Sequence, residues 1–207
     1  MFHRIIKSPA DHSFFLFGPR GTGKTTFLRQ FFSQKKALWV DLLDPAVEDR
    51  YVRDPSVLAQ EIGALKGKTA WVVIDEIQKM PALLDTVHLL IEKSGIKFAL
   101  TGSSARKLKK GAANLLAGRA FMRQLFPLTS IEMGERFNLE EALWWGTLPK
   151  VTSLEADGDR RDFLKAYALT YLKEEIWAEH IVRRLDPFRR FLEMAASMNG
   201  QIVNYSP

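Results

Sequence analysis

Apolar residues gather into short unbroken runs in the first two thirds of the chain and into helical stripes after that. Phe14 to Phe17 is a run stopped by Gly18, and the segment from Lys24 to Phe32 that follows has helical spacing. "ALWVDLL" (37–43) predicts a second buried strand, and "DPSVLAQEIGAL" (54–65) predicts a helix opened by Asp54. "TAWVVIDE" (69–76) is a third strand, apolar on both faces, as expected when helices cover both sides of a parallel sheet. "PALLDTVHLLIEK" (81–93) places Pro81 at a helix start, "KFALTG" (97–102) is a fourth strand, and "FMRQLFPL" (121–128) is a candidate fifth. This alternation predicts an α/β protein: a three-layer fold around a mostly parallel sheet.

Beyond Pro127 the pattern is helical. Phe163, Tyr167 and Tyr171 recur every four residues, as do Leu164, Ala168, Leu172 and Ile176, which predicts a helix over 159–184 with "DGDRRD" (157–162) at its start. The expected division is therefore a core over 1–130 and a smaller helical lid over 131–207, with Trp144, Trp145 and Trp177 in the lid's core.

The loop between the first strand and the first helix carries the chemistry. Gly18, Gly23, Lys24 and Thr25 fit G-x-x-x-x-G-K-[ST], in which small residues let backbone N–H groups surround phosphate oxygens and the helix N-terminus adds positive potential. A chance match in a chain this long is on the order of one in a hundred, and the strand-loop-helix context lowers it further. Gly18, Pro19, Arg20, Gly21, Thr22, Gly23, Lys24, Thr25 and Thr26 are the expected nucleotide contacts, with Lys24 on the β- and γ-phosphates and the Thr25 hydroxyl on Mg²⁺. Asp75, ending a buried strand, would hold the same Mg²⁺ through its water shell. Glu76 would orient and deprotonate the attacking water. Thr101, Ser103 and Ser104 fall at the C-terminal end of the fourth strand, where ligands sit in open α/β sheets, and their hydroxyls suit the γ-phosphate or the water. Arg119, in a small-residue turn, could neutralise charge on the transferred phosphoryl group.

The formal charge is +6, which suits anionic partners. No acid occurs from Lys93 to Ile131, while Lys93, Lys97, Arg106, Lys107, Lys109, Lys110, Arg119 and Arg123 fall there. This run is either a solvated basic face or a surface for DNA backbone, with only Phe98 and Phe121 available for stacking. The chain has no cysteine, so a disulfide framework is excluded, and no 18-residue apolar run that would span a membrane. A cytoplasmic location is the expectation. The four histidines lack metal-ligand spacing, so Mg²⁺ is the one metal expected.

In order, "FLFGPRGTGKTTFL", "DEIQKMP", "LTGSSARKL", "LAGRA", "PLTSIE", "GTLP" and "NGQIVNYS" resemble the AAA+ superfamily. They are most similar to prokaryotic AAA-domain ATPases whose C-terminal part is a domain of unknown function. The resemblance implies an ATPase with a central sheet, a helical lid and oligomer-forming relatives. It implies Asp75 and Glu76 as the magnesium and base positions, Thr101 or Ser103 as a polar sensor, and Arg119 as an arginine finger completing a neighbour's site in a homo-oligomer. No sensor arginine can be placed in the lid, and the loop reads Gly21-Thr22 where relatives often have a glutamine and a small residue. Such relatives continue past "NGQIVNYS", so the expectation is that this chain holds only the ATPase part. The function expected is Mg-dependent ATP binding and hydrolysis coupled to a conformational change on a partner. The alternatives are an ATP-gated DNA-binding module without significant turnover and a small-molecule kinase. The glutamate after Asp75 counts against the kinase.

Overall fold

The unbroken apolar runs become the strands of one sheet. The computed structural model describes residues 2–7, 11–65, 70–103, 118–172, 176, 184–198 and 201. Among them are β1 (Ser13–Phe17), β2 (Ala37–Asp41), β3 (Trp71–Asp75), β4 (Lys97–Gly102) and β5 (Ala120–Gln124), all parallel, in the order β2-β3-β4-β1-β5.

Side chains alternate across the sheet, so each strand supplies two cores. Phe15 and Phe17 of β1, Val72 and Ile74 of β3, and Phe98 and Leu100 of β4 share one face. That face is covered by residues of α2 (Pro45–Arg53), α3 (Val57–Ala64) and α4 (Leu83–Ser94), including Tyr51, Leu58, Ile62, Leu84 and Val87. Phe14, Leu16, Trp71, Val73 and Ala99 face the other way, onto Leu28 of α1 (Lys24–Phe31) and Phe32. Three layers result, the α/β fold expected of a phosphate-loop NTPase. Each large side chain fully buried here contributes about 1.5–3 kcal/mol. β5 is half-exposed along its length, with Phe121 and Met122 open to solvent.

The expected helix over 54–65 is shorter, and a second helix precedes it. Asp44 accepts from the Ala46 N–H, with Pro45 in the first turn, and so starts α2. Asp54 starts no helix. Its carboxylate accepts from Ser56 N–H at 2.9 Å in the turn between α2 and α3, and bonding to Ser56 holds the carboxyl below the usual range. The buried Tyr51 hydroxyl donates to Glu61 at 2.6 Å and ties α2 to α3; burial, then Glu61, pushes this phenol's pKa up.

The chain divides into two units, Met1–Glu155 and Ala156–Pro207. The first also contains α5 (Ser130–Met133) and α6 (Leu139–Trp145). Trp144 of α6 is 81% exposed, so it is not the core residue its neighbours in sequence suggested. No residue of this seven-residue helix is buried, so it offers no apolar core stripe for the tryptophan to join. The second unit contains α7 (Asp157–Tyr171) and α8 (Leu185–Ser197). On α7 the rings of Phe163, Tyr167 and Tyr171 stack in sequence at 6.3 and 6.1 Å, as their four-residue spacing predicts. The rest of the expected helix, Trp177 included, lies largely outside the described residues. Among the described residues no helix is long and apolar enough to cross a membrane.

Candidate nucleotide site

The loop after β1 folds around its own lysine. Gly21 and Gly23 take positive φ, which glycine adopts without strain, and this turns the chain into α1. Lys24 is buried, and its Nζ donates to the carbonyls of Gly18 at 2.8 Å and Pro19 at 3.2 Å. Buried Thr22 closes the same turn by donating its hydroxyl to Pro19 O at 2.8 Å. Arg20 and Thr26 are exposed on either side of the loop. A single ammonium thus stands inside a ring of backbone at a helix N-terminus, an arrangement suited to phosphate oxygens.

The sheet order brings the other expected residues to this loop. β4 lies between β1 and β3, so Thr101 sits beside the strand end that carries Asp75. The Thr25 hydroxyl donates to Asp75 Oδ2 at 2.6 Å, and the buried Thr101 hydroxyl donates to Asp75 Oδ1. Thr101 Oγ1 in turn accepts the Glu76 N–H at 2.9 Å. Thr25, Asp75, Thr101 and Glu76 therefore form one hydrogen-bonded chain assembled from three elements. Glu76 has φ 60° and ψ 46°, the one left-handed non-glycine among the described residues, at the turn after β3. Backbone strain of this kind concentrates at functional sites.

Among the described residues no group of three or more His, Asp or Glu side chains is placed to hold a metal ion. The donors at the loop, Thr25 Oγ1 and Asp75 Oδ2, are two hard oxygens. They fit Mg²⁺, which takes one or two protein oxygens and completes its shell with phosphate and water.

Ser103 lies near the site, its hydroxyl 3.5 Å from the side-chain nitrogen of Gln78, whereas Ser104 is outside the described residues. Arg119 is elsewhere. It precedes Ala120, which pairs with Ser13 at the start of β1, while the loop follows the end of β1, about 16 Å away along five residues of strand. Its guanidinium binds Glu92 of α4, with Nε at 2.9 Å and Nη2 at 2.5 Å. Arg119 first, then His88, holds the Glu92 carboxyl below the usual range. Arg119 therefore cannot serve the nucleotide site of its own chain, because a parallel β5 puts the turn before it at the opposite end of the sheet.

Two further features were not legible in the sequence. A cavity of about 250 Å³ opens beside the start of α1, walled by Phe2, Phe27, Leu128 and Pro149, with Arg4, Thr26 and Gln30 as polar lining. Arg4 also fastens the N-terminal segment across the loop. Its Nη1 donates to Thr22 O at 3.3 Å, Nη2 donates to Phe126 O, and Nε lies 3.1 Å from Glu132 Oε1 as a charge contact without aligned hydrogen-bond geometry. Glu132 accepts in addition from Ile5 N–H at 3.0 Å and Thr129 N–H at 3.1 Å, the latter as part of a capping box with Thr129. Burial lowers the Arg4 pKa, opposed by Glu132. "TSIE" signals the capping box in the sequence, but nothing there points to Arg4, over 120 residues earlier.

Residues 10–134, more than half of the chain, match a family model described as an AAA domain. The chain belongs to this AAA family. Family membership makes it a nucleotide-binding ATPase at that level. A second model, described as a domain of unknown function, matches residues 136–207. This corrects the expectation that the chain holds only the ATPase part. An uncharacterized protein of Mycobacterium tuberculosis is 27% identical over 192 residues, covering 91% of this AAA chain and 42% of that protein. One of Methanocaldococcus jannaschii is 24% identical over 191 residues, covering 82% and 43%. The chain thus spans less than half the length of the curated relatives it matches. Among solved structures, domain III of the Thermotoga maritima replication initiation protein DnaA is similar at 14% identity and a TM-score of 0.42, over 80% of this chain and 79% of that one. Bacteroides Pif1 bound to ssDNA is similar at 17% identity and a TM-score of 0.42, over 75% and 46%.

Proposed function

We propose that this AAA domain binds ATP with Mg²⁺, hydrolyses it and couples turnover to a conformational change on a partner. The observation that carries the reading is the hydrogen-bonded chain Thr25–Asp75–Thr101–Glu76 set against the Lys24 loop. Lys24 exchanges its two carbonyl partners for β- and γ-phosphate oxygens, which are stronger acceptors for an ammonium. Thr25 and Asp75 hold the Mg²⁺, which when bound neutralises charge on those oxygens. Glu76 orients the attacking water and accepts its proton, with Thr101 fixing the backbone on which Glu76 stands. The cavity beside Thr26 takes the base: Phe27 and Leu128 offer apolar contact, and the Gln30 amide supplies a donor and an acceptor for the base edge. Arg119, at the far end of the sheet, can act as a finger only on a neighbouring subunit's nucleotide, which makes a homo-oligomer part of this proposal.

The DNA-binding alternative gains little from the described part of the basic run. Lys97 is paired with Asp11, Arg119 with Glu92, and Arg123 donates to Lys7 O. Acids outside the run thus counter part of its charge. Arg106, Lys107, Lys109 and Lys110 lie outside the described residues.

Lys24→Ala and Glu76→Gln test the ATPase. ATP at 100 times its Kd should stabilise the wild type by about 2.7 kcal/mol, and the Lys24 variant by nothing. The Glu76 variant should keep the ATP-dependent thermal shift and lose phosphate release. Equal phosphate release by wild type and Glu76→Gln removes the base assignment, and a phosphorylated acceptor in place of free phosphate makes the protein a kinase.

A further inference from the structure

Gln78 has no part in the reading so far, yet its amide touches two of the residues that do. It lies in the 3-10 turn Ile77–Lys79, which buried Ile77 and Met80 anchor beneath it. Its Nε2 donates to Glu76 Oε2 and lies 3.5 Å from Ser103 Oγ. Turning the amide over would set Oε1 against the Glu76 carboxylate, acceptor against acceptor, so the nitrogen must face the acid. The other end of the amide is then buried and unmatched: among the described residues Oε1 has no hydrogen-bond partner. Gly102 makes room for it, because a Cβ there would stand 2.7 Å from that oxygen and 3.2 Å from the Phe17 ring.

A side chain that only filled this turn would do better without an amide, since an apolar residue of the same shape would leave no stranded oxygen. The polar group is retained at a cost, and what it gains is the contact with Glu76 and Ser103. From this arrangement we infer that Gln78 is a positioning residue: its amide aims the Glu76 carboxylate and links that aim to the Ser103 hydroxyl at the γ-phosphate end of the site. In this role Gln78 need touch neither water nor nucleotide. It acts through Glu76, and Ser103 acts on turnover partly through Gln78. The inference rests on the proposed hydrolysis.

Gln78→Leu and Ser103→Ala, singly and together, supply the test, with phosphate release under saturating ATP as one readout and equilibrium binding of a non-hydrolysable ATP analogue as the other. Misplacing a reacting group by about 1 Å costs about a hundredfold in rate, so kcat of Gln78→Leu should fall between tenfold and a hundredfold. Analogue affinity should stay within about twofold, which also reports that the variant is folded, because no nucleotide contact is lost. In the Gln78→Leu background, Ser103→Ala should cost clearly less than it does alone, the non-additivity of residues acting as one unit. An unchanged kcat in Gln78→Leu overturns the inference and leaves the ATPase standing. So does a loss of kcat matched by an equal loss of analogue affinity, or strict multiplication of the two single effects. A wild type that binds no analogue and releases no phosphate overturns the ATPase proposal and this inference with it.

Discussion

Replacing Arg4 with methionine keeps an apolar stem in place and removes one charge from a pair whose side chains are 7% and 3% exposed. Breaking a buried ion pair by removing one partner costs about 3–5 kcal/mol, because the remaining charge is stranded. Glu132 is not wholly stranded, since it still accepts from Ile5 N–H and Thr129 N–H, and that places the loss near the lower end, about 3 kcal/mol. For a chain of this length each kcal/mol moves the melting point by about 2–4 °C, so a fall of about 6–12 °C is expected. Urea unfolding followed by tryptophan fluorescence measures the same quantity independently. Adding Glu132→Gln to Arg4→Met should recover at least about 1 kcal/mol of the summed single losses, since residues in contact couple by about 0.5–3 kcal/mol. Nucleotide affinity should fall as well, because Arg4 lines the cavity and holds the Thr22 carbonyl of the loop. A loss below about 1 kcal/mol, or single effects that simply add, would refute the view that this pair clamps the N-terminal segment across the loop.

Two other outcomes follow from geometry and charge. Gly18→Ala should destabilise by about 1–3 kcal/mol or more and disable nucleotide binding, because the added Cβ would lie 2.0 Å from the backbone oxygen of Leu125; a urea midpoint equal to wild type would contradict this. Glu92, its folded pKa lowered by Arg119, contributes stability above its unfolded pKa of about 4.3 that is lost as pH falls through the lowered folded value. In Arg119→Ala, carboxyl titration by NMR should bring Glu92 back up toward the ordinary value, and an unmoved titration would mean that the Arg119 contact does not set it.

The parts of the site that could be read in the sequence are those whose chemistry is local. The glycines of the loop and the Lys24 and Thr25 that open α1 are adjacent in the chain, and their spacing alone marks a pattern suited to an anion. Asp75 and Glu76 end a strand whose apolar run marks its own boundary. The two helices between β2 and β3 were harder, because α2 relies on a cap at Asp44 and a single fully buried residue, Tyr51, rather than on a long apolar stripe. The motif around Arg119 did not show at which end of the sheet that residue stands, since no local pattern states which end a turn will occupy.

The sequence by itself determined that this chain builds apolar parallel strands, that a loop with the G-x-x-x-x-G-K-[ST] pattern follows the first, and that two acids stand at the end of the third. Those properties depend on residues within one or two turns of each other. Only the tertiary structure decided that β4 inserts between β1 and β3, and hence that Thr101 bridges Asp75 and Glu76. It alone decided that Gln78 meets Ser103, that Arg4 meets Glu132, and that Arg119 is tied to Glu92 away from the loop. Strand order sets which strand ends are neighbours, and strand order is fixed by how two opposed apolar faces are covered, a property of the whole sheet that no single segment contains.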